Sequence, residues 1–448
     1  MRRFIGLAMA AGLAVTMAGC GGGSESGSNE LKIVYQKFGT YIHLDVMLRR
    51  LKPVFEQQNP GVKLKLIPVT ANDADYFSKV NLMRRSASSA PDVVYEDTYV
   101  INSDVKAGYL RPLDEYLNTW PDWGQFPDSV KQGVKALDGK IYGVPMGTDT
   151  RGLWYNKTIL KKAGVTLPWR PKTWDDVLAT ARQIKARVPD ATPFNMYSGK
   201  PAGEASSMQG YEMLLYGTDH ELYNSQSAKW VAPSKGMTDS FRFIKTVFSE
   251  GLAPKPAVAL DKNLNTIVTT QLFPKNKLGI ALDGSWLSST WQKAGEAPWP
   301  EWQDTIDVAP MPTQNGQAPG KTSMSGGWTL AIGAKSKNPG AAWKFVALAL
   351  NRENSLNYAT TAGQIAVRDD VGKDPAYLNA NPTNKFWTDL VSATHYRPAY
   401  AEYPEISNQI QKEMESVMTG QESPEEATKR LTESIQKIVG AEKVEAAG

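Results

Sequence analysis

The chain has 448 residues, 41% of them hydrophobic and 21% charged, with a formal net charge of +4. Setting Arg2 and Arg3 aside from the 50 basic side chains leaves 48 against 46 acidic ones, and this near-neutral balance, with no basic patch interleaved with aromatics, excludes nucleic acid as a partner. Cys20 is the single cysteine, so no cysteine pair staples the fold; stability has to come from buried apolar side chains, and at this length two domains are the default.

The first residues read as a targeting segment. Arg2 and Arg3 precede an apolar run over 4–17 that is too short to span a bilayer, and Met17-Ala18-Gly19 offers small residues to a peptidase. The pattern ending on Cys20 resembles a bacterial lipobox. That resemblance implies a signal peptide over 1–19, Cys20 as a lipid-bearing first residue, and a glycine-serine tether over 20–29. The expectation is an extracytoplasmic protein held at the cell membrane by its lipid.

Beyond the tether, strand-like and helix-like runs alternate, which points to α/β layering with partly parallel sheets. Residues 31–35 predict a strand, 43–58 a helix, Asn59-Pro60-Gly61 a stop, and 62–66, with period-2 alternation, a second strand, making one βαβ unit. A buried strand is expected at 91–95. Thr173 followed by Asp176 spells a helix start, after which Trp174, Val177, Leu178, Ala181 and Ile184 share one face. A strand at 277–282, a helix from Asn338-Pro339 and a last helix from the capping box Ser423-Pro424-Glu425-Glu426 complete the pass, without internal repeats.

Several of these segments carry a family resemblance. Asp138-Gly139-Lys140-Ile141-Tyr142-Gly143-Val144-Pro145, Leu153-Trp154-Tyr155-Asn156-Lys157, Lys162-Ala163-Gly164 and Pro171-Lys172-Thr173-Trp174-Asp175 follow one another in the order seen in a known family. Ala90-Pro91-Asp92, Asp283-Gly284-Ser285-Trp286 and Asn338-Pro339 support the match. The chain resembles the extracellular solute-binding proteins of carbohydrate ABC importers, of the maltose and trehalose type (solute-binding protein family 1). The resemblance implies a two-lobed periplasmic-binding-protein (Venus flytrap) fold with mixed sheets flanked by helices. Lobe I would take 30–145 and 309–355, and lobe II 146–308 and 356–448, with hinge crossovers near Pro145, near Met311 and in the 350s. It further implies a monomeric binder, without catalysis or cofactor, that closes on a sugar by hinge rotation and delivers it to membrane permease subunits served by a separate ATPase subunit.

A sugar site needs planar polar groups for hydroxyls and aromatic faces for C–H surfaces, placed beyond strand ends. Asp97 follows the strand at 91–95 and matches a sugar-binding carboxylate of maltose-type members; the alternative role is a helix cap. Asp149 lies past the Pro145 turn where a second carboxylate is placed, with turn capping as its alternative. Trp286 matches the family's stacking tryptophan. Gly327, in Gly326-Gly327-Trp328, permits close backbone approach, and Trp328 is expected to face the cleft. Arg397 resembles an arginine that reaches the ligand in trehalose and maltose binders, with a surface ion pair as alternative. Tyr41, Tyr197 and Glu204 complete the expected set. His43, His220 and His395 lie far apart in sequence and do not spell a zinc site, and no nucleotide-binding or nucleophile-elbow motif occurs. The expected ligand is trehalose, maltose or another α-glucoside. One alternative is a glycerophosphodiester or other anionic solute clamped by Arg151 and Arg397; another is a secreted glycoside hydrolase using Asp97 and Asp149.

Overall fold

The computed structural model describes residues 29–447. The expected signal peptide, Cys20 and all but the last residue of the expected tether lie outside them. Two sheets carry the architecture. The first has five strands in the order Lys63–Thr70, Glu30–Lys37, Val93–Asp97, Gly327–Ile332, Val144–Thr148. Glu30–Lys37 and Lys63–Thr70 run parallel in register from Glu30↔Lys63 to Lys37↔Thr70, with the helix His43–Gln58 between them, as the βαβ reading expects. That helix forms because Leu44, Met47, Leu48, Leu51 and Phe55 return every three or four residues and bury one face. The second strand runs four residues beyond its expected end at 66 and includes Pro68, which is tolerated because this strand is the sheet's edge.

Gly327–Ile332 comes late in the chain but enters this early sheet, antiparallel to both Val93–Asp97 and Val144–Thr148. Its Trp328 stands beside Asp97 in the register. The second sheet orders Ile306–Ala309, Arg151–Asn156, Leu278–Gly284 and Thr192–Asn195. Arg151–Asn156 and Leu278–Gly284 are buried at every position, as strands covered on both faces must be. The expected capping boxes form: Thr173 Oγ1 accepts from Asp176 N at 3.2 Å while Asp176 accepts from Thr173 N at 3.1 Å, and Ser423 pairs with Glu426 in the same way.

Two of the expected lobe boundaries fall inside regular elements. The one expected at 145/146 falls inside the strand Val144–Thr148, and only Asp149 and Thr150 separate this strand from Arg151–Asn156 in the other sheet. The one expected at 355/356 falls inside the helix Arg352–Ala362. Asn351 caps that helix and Gly363 ends it at φ +62, so nothing interrupts it at 355. It sits on the first sheet's side: Arg50 donates to Asn354 Oδ1 at 2.7 Å, and the Tyr41 and Tyr358 hydroxyls are 3.1 Å apart.

Under the first sheet lies a buried ionic cluster in which Arg84 donates to both Glu96 and Asp104. Burial pushes the Glu96 carboxyl well above the usual range; Arg84 opposes the push and Asp104 adds to it. Removing the arginine strands two acids in the core. Arg84→Met is therefore expected to destabilise the protein by about 3–5 kcal/mol in urea denaturation.

Candidate ligand cleft

The strand ends of the two sheets meet across a cleft with about 1000 Å³ of empty space, part of it open to solvent. Tyr41, Asp97, Asp149, Glu204, Trp286, Trp328 and Arg397 from the expected set line it. Gly327 and Tyr197 are outside the lining. Gly327 packs by its backbone against Thr98, where a Cβ would come within 3.3 Å of the Thr98 methyl. Tyr197 is buried behind the wall, where it donates to Asp283 Oδ2 at 3.0 Å and receives a bond from Asn265 at 3.3 Å.

Arg397 is the centre of the site. It is 6% exposed, and its Nη2 donates to Asp97 Oδ1 at 2.7 Å while Nη1 donates to Glu204 Oε2 at 3.1 Å. Its guanidinium also lies 4.1 Å over the Tyr99 ring. Burial opposes the charge, yet Asp97 and Glu204 outweigh burial and hold its pKa well above the ordinary value. Asp97 ends a strand of the first sheet, whereas Glu204 leads into the π-helical turn Ala205–Glu212 beside the second, so one side chain ties both walls. The pair is fully internal, which corrects the surface-pair alternative. Asp97 also caps, accepting from Tyr99 N at 3.3 Å, so the cap bond is present on a residue that also lines the cleft.

A second pair lies in the crossover. Asp149 Oδ1 accepts from Gly326 N at 2.9 Å and from Arg151, which in turn donates to the Met324 carbonyl at 3.1 Å. The Arg151 guanidinium stands 4.8 Å over the Trp286 ring. Among the described residues, neither Asp97 nor Asp149 receives a hydrogen bond on Oδ2, so each keeps one acceptor for a ligand. Trp328 lines the cleft, but its ring stacks on Tyr95 at 4.2 Å and 7°, so one face is already taken. It is a wall more than an open platform. Tyr41 receives a bond from Gln364 Nε2 at 3.2 Å, which fixes its hydroxyl at the cleft edge.

Sequence reasoning missed Met208 and Gln209, which reach the cleft from the π-helical turn. Among the described residues, Gln209 Oε1 is buried without a hydrogen-bond partner. Periodicity cannot flag them, because neither a 3.6-residue nor a two-residue pattern describes a π turn. At the other rim, Thr40 approaches Thr290 at 2.9 Å and Thr269 at 3.4 Å, so the loop after the first strand rests on the opposite wall. His43 packs beside them against the Ser289 backbone, and burial lowers its pKa to about 4.

Two mixed sheets joined by crossovers, with a charged and aromatic cleft between them, define a binding protein of the two-lobed clamp class. The chain belongs to the bacterial extracellular solute-binding proteins, whose family model matches residues 41–355. A binding protein of Brucella abortus (strain 2308) is 26% identical over 379 residues, 85% of this chain and 86% of its own. The multiple sugar-binding protein of Streptococcus mutans is 30% identical over 218 residues, covering 47% of this chain and 46% of its own. Among solved structures, an ABC transporter solute-binding protein of Thermotoga lettingae bound to α-D-tagatose superposes with TM-score 0.79 at 24% identity, over 92% of this chain and all of that one. The maltose-bound MalE3 of T. maritima gives 0.77 at 22% identity, over 91% of this chain and 100% of its own.

Behind Glu204, the Tyr403 hydroxyl is 2.6 Å from Glu212 Oε1 and 3.4 Å from Glu204 Oε2. Burial pushes Glu212 up to about 8 from an ordinary 4.5, with the nearby Glu204 charge adding to the push and Tyr403 opposing it. The folded state therefore holds a proton that the unfolded state has released, and stability falls as pH rises from 4.5 through 8. Glu212→Gln removes this term: relative to wild type it is expected to gain on the order of 1 kcal/mol per pH unit across that window, read from denaturation at several pH values.

Proposed function

We propose that the protein captures a neutral oligosaccharide in the cleft, an α-glucoside such as trehalose or maltose, and delivers it to the permease of an ABC importer. A lipid on Cys20 would hold it, as a monomer, on the outer side of the membrane. The lobes would meet at Asp149 and Thr150, between 310 and 326, and beyond Ala362. The observation that carries the reading is the charge pairing. Both cleft guanidiniums are already matched, Arg397 by Asp97 and Glu204 and Arg151 by Asp149. Beyond Arg151 Nε, which has no partner among the described residues, and the side-chain amides of the lining, the cleft offers a ligand carboxylate oxygen and aromatic surface, the complement of hydroxyl donors and C–H faces. Family membership and the sugar names borne by relatives support the same reading.

The lining holds three carboxylates, Asp97, Asp149 and Glu204, against two guanidiniums, so an anionic solute would enter a net negative site. Closure would follow from selection: only a closed clamp lets a bound sugar touch both walls. Maltose or trehalose is expected to raise the thermal midpoint, with an affinity that changes less than about twofold between low and half-molar salt. A flat response to neutral sugars together with salt-sensitive binding of a glycerophosphodiester would overturn the reading. The sugar is expected to be recovered intact after incubation.

A further inference from the structure

The stacking tryptophan is set in place by a residue that carries no side chain. We propose that Gly284 is a positioning residue for Trp286, and that the space left empty at 284 lets the indole settle beside Arg151 as a fixed platform for a sugar ring. The inference rests on the sugar reading of the cleft and adds to it the residue that decides where the platform lies.

Gly284 ends one of the two inner strands of the second sheet and pairs directly with Arg151 in the register. Side chains of directly opposed residues share one face of a sheet, so a side chain at 284 would stand next to Arg151. The indole of Trp286 occupies that volume instead. A Cβ at 284 would lie 2.0 Å from Trp286 Cζ3, 2.1 Å from Cη2 and 2.5 Å from Cε3. The backbone there is ordinary extended chain, φ −92 and ψ 168, so glycine is required by the ring and not by the dihedrals.

The ring is held elsewhere too. The Arg151 guanidinium over it is fixed by Asp149 and the Met324 carbonyl, so the cation–π partner cannot drift. Near the Trp286 backbone, Gly363 turns at φ +62, and a Cβ on it would come within 3.2 Å of Trp286 Cα. A platform fixed before binding does not lose rotamer freedom when the ligand arrives, which favours affinity. A methyl at 284 would have to displace an indole, a rigid body that cannot yield by bending its end.

The test is a double-mutant cycle with Gly284→Ala and Trp286→Ala, read as the dissociation constant for maltose. Gly284→Ala is expected to weaken maltose at least about tenfold in the wild-type background and less than about twofold when Trp286 is already alanine. Equal losses in both backgrounds, or no loss in either, would overturn the proposal. If wild type binds no sugar at all, the sugar reading fails separately. The near-UV circular dichroism of the four unliganded proteins then decides the placement: Gly284→Ala must alter the tryptophan signal only while Trp286 is present, and an identical change in both backgrounds counts against it.

Discussion

A guanidinium buried between two walls of a cleft is a severe constraint. Taking Arg397 out of water costs several kcal/mol unless close carboxylates compensate. Asp97 from one side and Glu204 from the other supply that compensation, with Tyr99 closing one face. Each partner is in turn fixed by its own element. Asp97 ends a strand and caps the turn that follows, while Glu204 receives the Ser407 hydroxyl from the helix Tyr403–Met418. The position of the cleft floor thus follows from one charge and the geometry needed to keep it.

Around that centre the acids divide into two populations. Asp97, Asp149 and Glu204 face guanidiniums in the cleft. Glu212 and Asp283 lie deeper, where burial lifts them to about 8 and about 6. Glu212, held protonated at neutral pH, avoids adding unpaired charge beneath the site, and each of the two carboxyls accepts a hydrogen bond from a tyrosine hydroxyl, Glu212 from Tyr403 and Asp283 from Tyr197. The site therefore presents a set of acceptors already fixed by their own partners, and the Thr40 loop adds hydroxyl contacts to Thr290 and Thr269 on the opposite wall.

Much of the fold was legible because it is locally encoded. The helix 43–58, both capping boxes and the first βαβ unit depend on residues within a few positions of each other, and they form where periodicity and cap chemistry put them. The strand-end rule likewise led to Asp97 and Trp286, and the resemblance to ligand-binding positions of the family to Asp149 and Arg397. What escaped is set by contacts far apart in sequence. Trp328 stacks on Tyr95, Glu204 meets Arg397 across 193 positions, and the helix Arg352–Ala362 belongs with the first sheet through Asn354 and Tyr358. The value of Gly284 is invisible in sequence for the same reason: its role is the absence of an atom in a space that only the folded chain defines.

The measurement that bears most directly on the account is the affinity of Arg397→Lys for maltose, determined beside wild type by calorimetric titration. Lysine keeps the positive charge but lacks the planar fork that reaches Asp97 and Glu204 together. Arg397→Lys is expected to stay folded while its maltose affinity falls at least about tenfold, because the two walls lose their common tie. Wild-type affinity in the lysine variant would contradict the account and would show that the cleft does not depend on the fork.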